Sequence, residues 1–125
     1  MRFDVITLFP DLFAAHLTQG VTRRAFEEGK VDVKLWQLRD FANEPHRRVD
    51  DRPYGGGPGM VMLVEPLERA LAAIRSDRPG EAPLPVVHFT PVGRRIDQGV
   101  VDSFAAGPGA VLLCGRYEGI DQRFL

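Results

Sequence analysis

The stretch Asp50-Asp-Arg-Pro-Tyr-Gly-Gly-Gly-Pro-Gly-Met-Val-Met62 decides how the rest of the chain is interpreted. Within it, the seven residues from Pro53 to Gly59 include four glycines and two prolines. Neither a helix nor a strand interior accepts that density, because glycine costs conformational entropy and proline lacks the N–H donor. The stretch therefore predicts a loop whose backbone approaches another molecule, although a Pro/Gly cluster is also typical of a plain surface turn.

This loop does not resemble the phosphate-binding loop of nucleotide-binding proteins. It has no Gly-Lys-Ser/Thr ending, and the residues that follow, Met60 to Val64, are apolar. The charged residues in front of it instead offer both hydrogen-bond acceptors and donors beside exposed backbone N–H groups. These residues are Asp50, Asp51 and Arg52.

The composition describes one ordinary globular domain. The chain has 125 residues, a hydrophobic fraction of 44% and a net charge of −1, which suit a single domain with its own core. Its single cysteine, Cys114, excludes an internal disulfide framework and suits a reducing compartment. No apolar run reaches the length of a membrane span, and no signal-peptide pattern is present. We therefore expect a cytoplasmic protein.

Strand and helix patterns alternate along the chain. Strands are predicted over 2–8, 31–38, 85–89 and 110–114, and helices over 10–17, 21–28, 66–75 and 98–105. Residues 60–64 suit either a short buried strand or the start of a helix, and Arg39–Gly59 reads as one long loop without a period. This alternation predicts an α/β fold, with a mostly parallel sheet and helices on both faces.

Three unusual loops are expected to converge at one edge of that sheet. The carboxyl ends of parallel strands share an edge, and ligands bind there in open α/β folds. The loops Asp50–Gly59, Thr90–Arg95 and Gly115–Asp121 all follow or face such ends. Each alone could be an ordinary turn, but three together favour a binding site.

Two long motifs carry a resemblance to a known family. The motif Tyr54-Gly-Gly-Gly-Pro-Gly-Met60 together with Leu113-Cys-Gly-Arg-Tyr-Glu-Gly-Ile-Asp-Gln-Arg123 closely resembles the bacterial tRNA (guanine-N1)-methyltransferase family, TrmD. The opening Phe3-Asp-Val-Ile-Thr-Leu-Phe-Pro10 and the turn Thr90-Pro-Val-Gly93 match that family too. The resemblance covers essentially the whole chain.

The resemblance implies a fold, an activity and partners. The fold is a SPOUT-type methyltransferase domain with a trefoil knot, and the enzyme works as a homodimer on tRNA. Such enzymes transfer a methyl group from S-adenosylmethionine to N1 of the guanine immediately 3′ of the anticodon, guanosine-37. A guanine held for this chemistry must leave its stack.

The resemblance also implies which residues form the site. It places cofactor contacts at Phe89, Thr90, Pro91, Gly115, Tyr117 and Glu118. It places substrate contacts at Asp50, Arg52, Tyr54, Gly55, Gly56, Gly57 and Gly59. Glu118 has a second possible role, in positioning the substrate or a bound cation such as Mg²⁺.

Length is where the chain departs from the family. TrmD proteins continue through a second cofactor loop, a linker with the general base (an Asp), an assisting Arg and a helical tRNA-binding domain, and all of these are expected beyond Leu125. We therefore expect residues 1–125 to be a truncated catalytic domain with an incomplete knot and no activity of its own. No residue here is assigned the role of the base, which the weakly nucleophilic N1 requires.

Two other interpretations remain open at this point. A non-catalytic RNA-binding module of the same fold class would use the Gly-rich loop and the clustered arginines, without a cofactor. These clusters are Arg23 with Arg24, Arg47 with Arg48 and Arg52, and Arg94 with Arg95. A small α/β domain whose glycines serve only tight turns would bury the Asp50–Gly59 loop completely.

Overall fold

Four parallel strands form the main sheet of the computed structural model, which describes residues 1–42, 48–51, 61–78, 84–115 and 119–120. The strands are β1 (Arg2–Thr7), β2 (Asp32–Gln37), β5 (Val86–His88) and β6 (Gly109–Leu113). Their spatial order is β2-β1-β6-β5. The prediction of a mostly parallel sheet is confirmed, and the almost wholly apolar β6 lies inside the sheet, as expected of a strand covered on both faces.

A second, three-stranded sheet was not predicted. It contains β3 (Asp50–Asp51), β4 (Val61–Met62) and β7 (Gly119–Ile120), in the order β3-β4-β7. The pair β3–β4 is antiparallel, and the pair β4–β7 is parallel. Strands of two residues are too short to show a period in the sequence. They are held in place by pairing with residues far away in the sequence.

The predictions of two loops are therefore wrong in part, because these stretches contain secondary structure. The interpretation of Arg39–Gly59 as one long loop is wrong at both described ends, where a 3-10 helix spans Leu38–Phe41 and β3 spans Asp50–Asp51. The predicted loop Gly115–Asp121 contains β7. Of the two alternatives for residues 60–64, strand β4 is present, and a helix starts directly after it.

Helices cover both faces of the main sheet, as predicted. The helices are α1 (Asp11–Thr18), α2 (Arg23–Glu27), α3 (Val64–Ser76) and α4 (Gln98–Ala106). On one face, Leu67, Ala70 and Ile74 of α3 are fully or almost fully buried. On the other face, the rings of Phe3 and Phe104 pack edge to face, with centroids 6.4 Å apart.

The core lies under α3 and joins the two sheets. Its buried members from the main sheet are Ile6, Val111 and Leu113, and Val49 and Met62 bury against the same cluster. The second sheet is therefore seated on the α3 side, beside the carboxyl ends of β1 and β6.

An ion cluster fixes the opposite, amino-terminal edge. The Asp4 carboxylate is fully buried and accepts hydrogen bonds from Arg2, Trp36 and Arg78. Because each carboxylate oxygen has a donor, the buried charge is compensated. Asp77, just after α3, pairs with Arg2 and Lys34, so the end of α3 is tied to β1 and β2.

Candidate functional site

The turn Thr90–Gly93, called the Thr90 turn below, and Gly115 lie side by side at the carboxyl edge of the main sheet. Strands β5 and β6 pair in parallel, with His88 opposite Leu113. Thr90 follows His88 by two residues, and Gly115 follows Leu113 by two. The register of the sheet therefore places these two positions at the same level, which the sequence predicted from strand direction alone.

Contacts around Gly115 show how close the strand ends come. A methyl group placed on Gly115 would lie 3.6 Å from Nε2 of His88 and 3.7 Å from Sδ of Met62. His88 is the last residue of β5, and Met62 is the last residue of β4. Gly115 is thus the meeting point of the two sheets, and its missing side chain leaves space at that point.

The second sheet brings Asp50 to the same junction. Asp50 pairs with Met62 across β3 and β4. The Arg48 guanidinium donates hydrogen bonds to the Asp50 carbonyl oxygen and to the Asp51 carboxylate, both at 2.7 Å. The start of the Gly-rich stretch is therefore paired with the strand whose Met62 side chain lies near Gly115, and the convergence of all three loops remains a prediction.

The turn after β5 is ordered by its own hydrogen bonds. The Gly93 N–H donates to the Thr90 carbonyl oxygen at 3.2 Å, and a Cβ on Gly93 would come within 3.1 Å of the Thr90 side chain. The Val92 N–H lies 3.4 Å from Oγ1 of Thr90. Thr90 is half-buried, whereas Phe89 and Pro91 are exposed.

A cleft of about 1000 Å³ opens beside this turn, between β5 and α4. Its walls are mostly apolar, and Phe89, Thr90 and Pro91 lie along its rim. Representative lining residues are Phe3, Val86, Val101, Phe104 and Leu112. A cleft of this size, apolar with a few polar groups at one end, is typical of a small-molecule site.

Cys114 precedes Gly115 but does not suit nucleophilic chemistry. The thiol is half-buried, and burial raises its pKa above the ordinary value. A raised pKa keeps the sulfur protonated and weakly nucleophilic. A half-buried, protonated thiol at the end of β6 suits a packing role.

Several predicted site residues lie outside the described part of the chain. Among the cofactor contacts these are Tyr117 and Glu118, and among the substrate contacts they are Arg52, Tyr54, Gly55, Gly56, Gly57 and Gly59. Of the described members, Phe89, Thr90, Pro91 and Gly115 follow the carboxyl ends of β5 and β6, whereas Asp50 lies in β3 of the second sheet. The part of the knot that this chain holds remains a prediction as well.

None of the residues that the structure describes was predicted to be the catalytic base or the assisting arginine. The resemblance puts both of them beyond Leu125, and residues 121–125, including Leu125 itself, lie outside the described part of the chain. Their position therefore remains a prediction.

Two residues at the junction were missed by the sequence analysis. His88 was assigned only to a strand, and Met62 only to the residues after the Gly-rich stretch. The position of His88 at the last paired residue before Thr90 was the available signal. No pattern could have placed Met62 against Gly115, because that contact depends on the second sheet.

Neither a metal site nor a membrane span is found within the described ranges. No group of three or more histidine, cysteine or acidic side chains there is arranged to hold a metal ion. None of the helices described is long and apolar enough to cross a membrane.

Comparison with known proteins agrees with this geometry. The family model described as tRNA (Guanine-1)-methyltransferase TrmD matches residues 1–125. A tRNA (guanine-N(1)-)-methyltransferase from Leptothrix cholodnii is 71% identical over all of this chain and 49% of its own length. The one from Methylibium petroleiphilum is 66% identical, over 50% of its length. This chain thus spans about half the length of these relatives.

A solved structure extends the likeness from sequence to fold. The crystal structure of tRNA (m1G37) methyltransferase from Aquifex aeolicus matches with a TM-score of 0.87 and 35% sequence identity. The match covers 99% of this chain and 55% of that one. With the family model matching from end to end, this chain belongs to the tRNA (guanine-1)-methyltransferase family, TrmD.

Proposed function

We propose that this chain is the cofactor-holding part of an enzyme that methylates tRNA, taking the methyl group from S-adenosylmethionine. The observation that carries the proposal is the meeting of the Thr90 turn, Gly115 and the Asp50–Met62 pair at one edge of the sheet. Membership of the TrmD family supports the reaction, because its relatives are named tRNA (guanine-N(1)-)-methyltransferases.

The cofactor is proposed to bind where β5 and β6 end. Backbone groups of Phe89, Thr90 and Gly115 are positioned to hydrogen-bond an adenine edge and a ribose, and the open position at Gly115 lets a ligand approach. Tyr117 and Glu118 are proposed to complete the contact. S-adenosylmethionine supplies an electrophilic methyl group, and these residues hold it and exclude water.

The substrate is proposed to be guanosine-37, immediately 3′ of the anticodon. Asp50, which pairs with Met62 across β3 and β4, is proposed to read the guanine edge together with Arg52 and the Gly-rich stretch. N1 attacks the methyl carbon, the carbon–sulfur bond breaks with its electrons going to sulfur, and the N1 proton passes to a base. That base is proposed to lie beyond the position of Leu125, in the half of the relatives that this chain does not match.

Further features follow the family and are proposed with the reaction. They are a homodimer, a cytoplasmic location, and a division into this domain, a linker and a tRNA-binding domain in the full-length relatives. Mg²⁺ as a second cofactor would involve Glu118, and no described carboxylate cluster adds to that site. On this proposal residues 1–125 alone do not transfer methyl groups.

The test supplies the remaining half from a relative. We define the joined protein as residues 1–125 of this chain followed by the second half of the Leptothrix cholodnii methyltransferase, which is 71% identical over the shared half. Incubation with labelled S-adenosylmethionine and tRNA transcripts is expected to methylate a tRNA with guanosine at position 37. The matched transcript with adenosine at that position is expected to remain unlabelled.

Two outcomes decide between the candidate functions. No methylation by the joined protein, with the relative itself active in parallel, would overturn the proposed reaction. RNA binding by that inactive protein without any effect of S-adenosylmethionine would favour the non-catalytic RNA-binding module.

A further inference from the structure

Two adjacent arginines stand beside the candidate site without an assigned role. Arg94 and Arg95 follow the Thr90–Gly93 turn, lie along the rim of the apolar cleft, and are both exposed. The turn places them at the carboxyl edge of the main sheet, on the same edge as Gly115.

The acidic side chains nearest to them in sequence are already engaged. Oδ1 of Asp97 accepts the N–H of Val100 at 2.9 Å and caps α4. Oδ1 of Asp102 accepts a hydrogen bond from the Gln98 side chain at 2.8 Å. Within the described ranges, no ion pair or hydrogen bond involves the guanidinium of Arg94 or Arg95. The two guanidinium groups therefore keep their N–H donors for another partner, on a chain whose net charge is −1.

Other arginines of the chain are neutralised by their own fold. Arg2 and Arg78 pair with Asp4, and Arg48 pairs with Asp51. In these cases arginine serves as a structural partner of a carboxylate. The pair after the turn is different, because its charge faces solvent.

Two further arginines lack an ion pair in the described part of the chain, but they lie elsewhere. Arg75 is in the last turn of α3, next to Asp77, which binds Arg2 at the amino end of β1. Arg24 is in α2, which leads directly into the amino end of β2. Both belong to the edge away from the candidate site.

We propose that Arg94 and Arg95 bind backbone phosphates of the RNA beside the nucleotide that is methylated. The inference rests on the proposed function and names a contact of that same site. Guanidinium groups donate charge-assisted hydrogen bonds to phosphate oxygens. Phosphate contacts position a nucleic acid without reading its sequence, so the pair fixes the anticodon loop while the Gly-rich stretch meets the base.

The test compares two double variants of the joined protein that remove equal charge. One is Arg94→Gln with Arg95→Gln, and the other, the matched control, is Arg24→Gln with Arg75→Gln. Fluorescence anisotropy with a labelled anticodon stem-loop measures RNA affinity from 50 to 300 mM salt. Calorimetry measures the affinity for S-adenosylmethionine in parallel.

The variant at the site is expected to bind the stem-loop about tenfold more weakly at low salt, the change expected when a charge-assisted hydrogen bond is removed. The slope of log affinity against log salt should fall by about 1 for each phosphate that the variant no longer binds. The control variant should change neither quantity. Replacing both residues of the site by lysine should restore much of the affinity, because lysine also binds phosphate as a point charge.

Three outcomes would overturn the phosphate contact. They are equal losses in the two double variants, an unchanged salt slope, or a selective loss of cofactor affinity, which would show that the arginines hold the cofactor carboxylate. If any of these outcomes occurs while the unsubstituted joined protein methylates tRNA, the proposed reaction stands and only the phosphate contact is overturned. If the joined protein is inactive but its RNA affinity still depends on Arg94 and Arg95, the proposed reaction is overturned and the phosphate contact is supported.

Discussion

At the scale of single residues, Gly109 shows why a glycine is needed where β1 and β6 begin to pair. Its φ angle is +124°, and a Cβ there would lie 1.9 Å from the Arg2 carbonyl oxygen. Gly109 is paired with Arg2 at the start of the contact between β1 and β6. Only glycine permits both the backbone conformation and the close approach of the two strands.

Substitution of Gly109 by alanine is therefore expected to destabilise the domain strongly. Backbone strain of this kind costs roughly 1–3 kcal/mol, and the clash with Arg2 adds to it. We expect urea denaturation to show a loss of at least about 3 kcal/mol in the free energy of unfolding.

Gly20 provides the matched control for that experiment. Its φ angle is +77°, but nothing lies within 4 Å of a Cβ placed there. Gly20→Ala should therefore cost only the strain of a left-handed conformation, about 1–2 kcal/mol. Equal losses in the two variants would show that the approach of Arg2 to Gly109 does not matter for stability.

The residue scale also shows what a sequence pattern can and cannot reveal about a polar side chain. Asp4 was visible only as an acid that interrupts an apolar stretch. Its partner Arg78 lies 74 residues away, and no local pattern connects them. The same limit applies to Gly115, whose importance was predicted from its motif while its neighbours Met62 and His88 were not.

At the scale of elements, long periodic segments were predictable and short ones were not. Strand β2 alternates, β6 is apolar throughout, and α3 repeats its apolar residues at helical spacing, so each was found from the sequence. The second sheet has strands of two residues, and β4 finds its parallel partner 58 residues later, with Val61 opposite Gly119. Its stability comes from burial of Met62 and Val49 in the core, which only the folded chain shows.

The tie between α3 and the main sheet gives a pH prediction at this scale. The Asp77 carboxylate accepts hydrogen bonds from Arg2 and Lys34. These bonds, of which that from Arg2 has the larger effect, hold the pKa of Asp77 below the ordinary value for an aspartate. A carboxylate whose pKa is lower in the folded state contributes stability above its unfolded pKa. That contribution is lost as the pH falls through the lower, folded value.

Asp77→Asn is therefore expected to reduce stability near neutral pH by an amount that shrinks in acid. The difference in the free energy of unfolding between parent and variant should be constant from about pH 7 to 5 and should decline below about pH 4. Asp32→Asn removes the same charge at the amino end of β2, where no described ion pair involves it, and serves as the control. A difference that stays constant down to about pH 2 would contradict the proposed ion-pair contribution.

At the scale of the whole molecule, the two sheets share a core, and Met62 of the second sheet approaches Gly115, one of the predicted cofactor contacts. The main sheet contributes the ends of β5 and β6, and the second sheet contributes Asp50 and Met62. The approach of Met62 to Gly115 depends on the packing of the two sheets, so no pattern in the sequence could have placed these residues together.

Gly115 is the position where this arrangement can be tested directly. In the joined protein, Gly115→Trp should fill the space beside His88 and Met62 and lower the affinity for S-adenosylmethionine by more than about tenfold in calorimetric titration. Gly115→Ala is the matched control, because its methyl group would make only ordinary contacts at 3.6 and 3.7 Å. Since Gly115 is exposed, neither variant should lower the melting temperature by much. Undiminished cofactor affinity in a folded Gly115→Trp protein would move the cofactor away from this junction, whereas a selective loss would place it between the Thr90 turn and the second sheet.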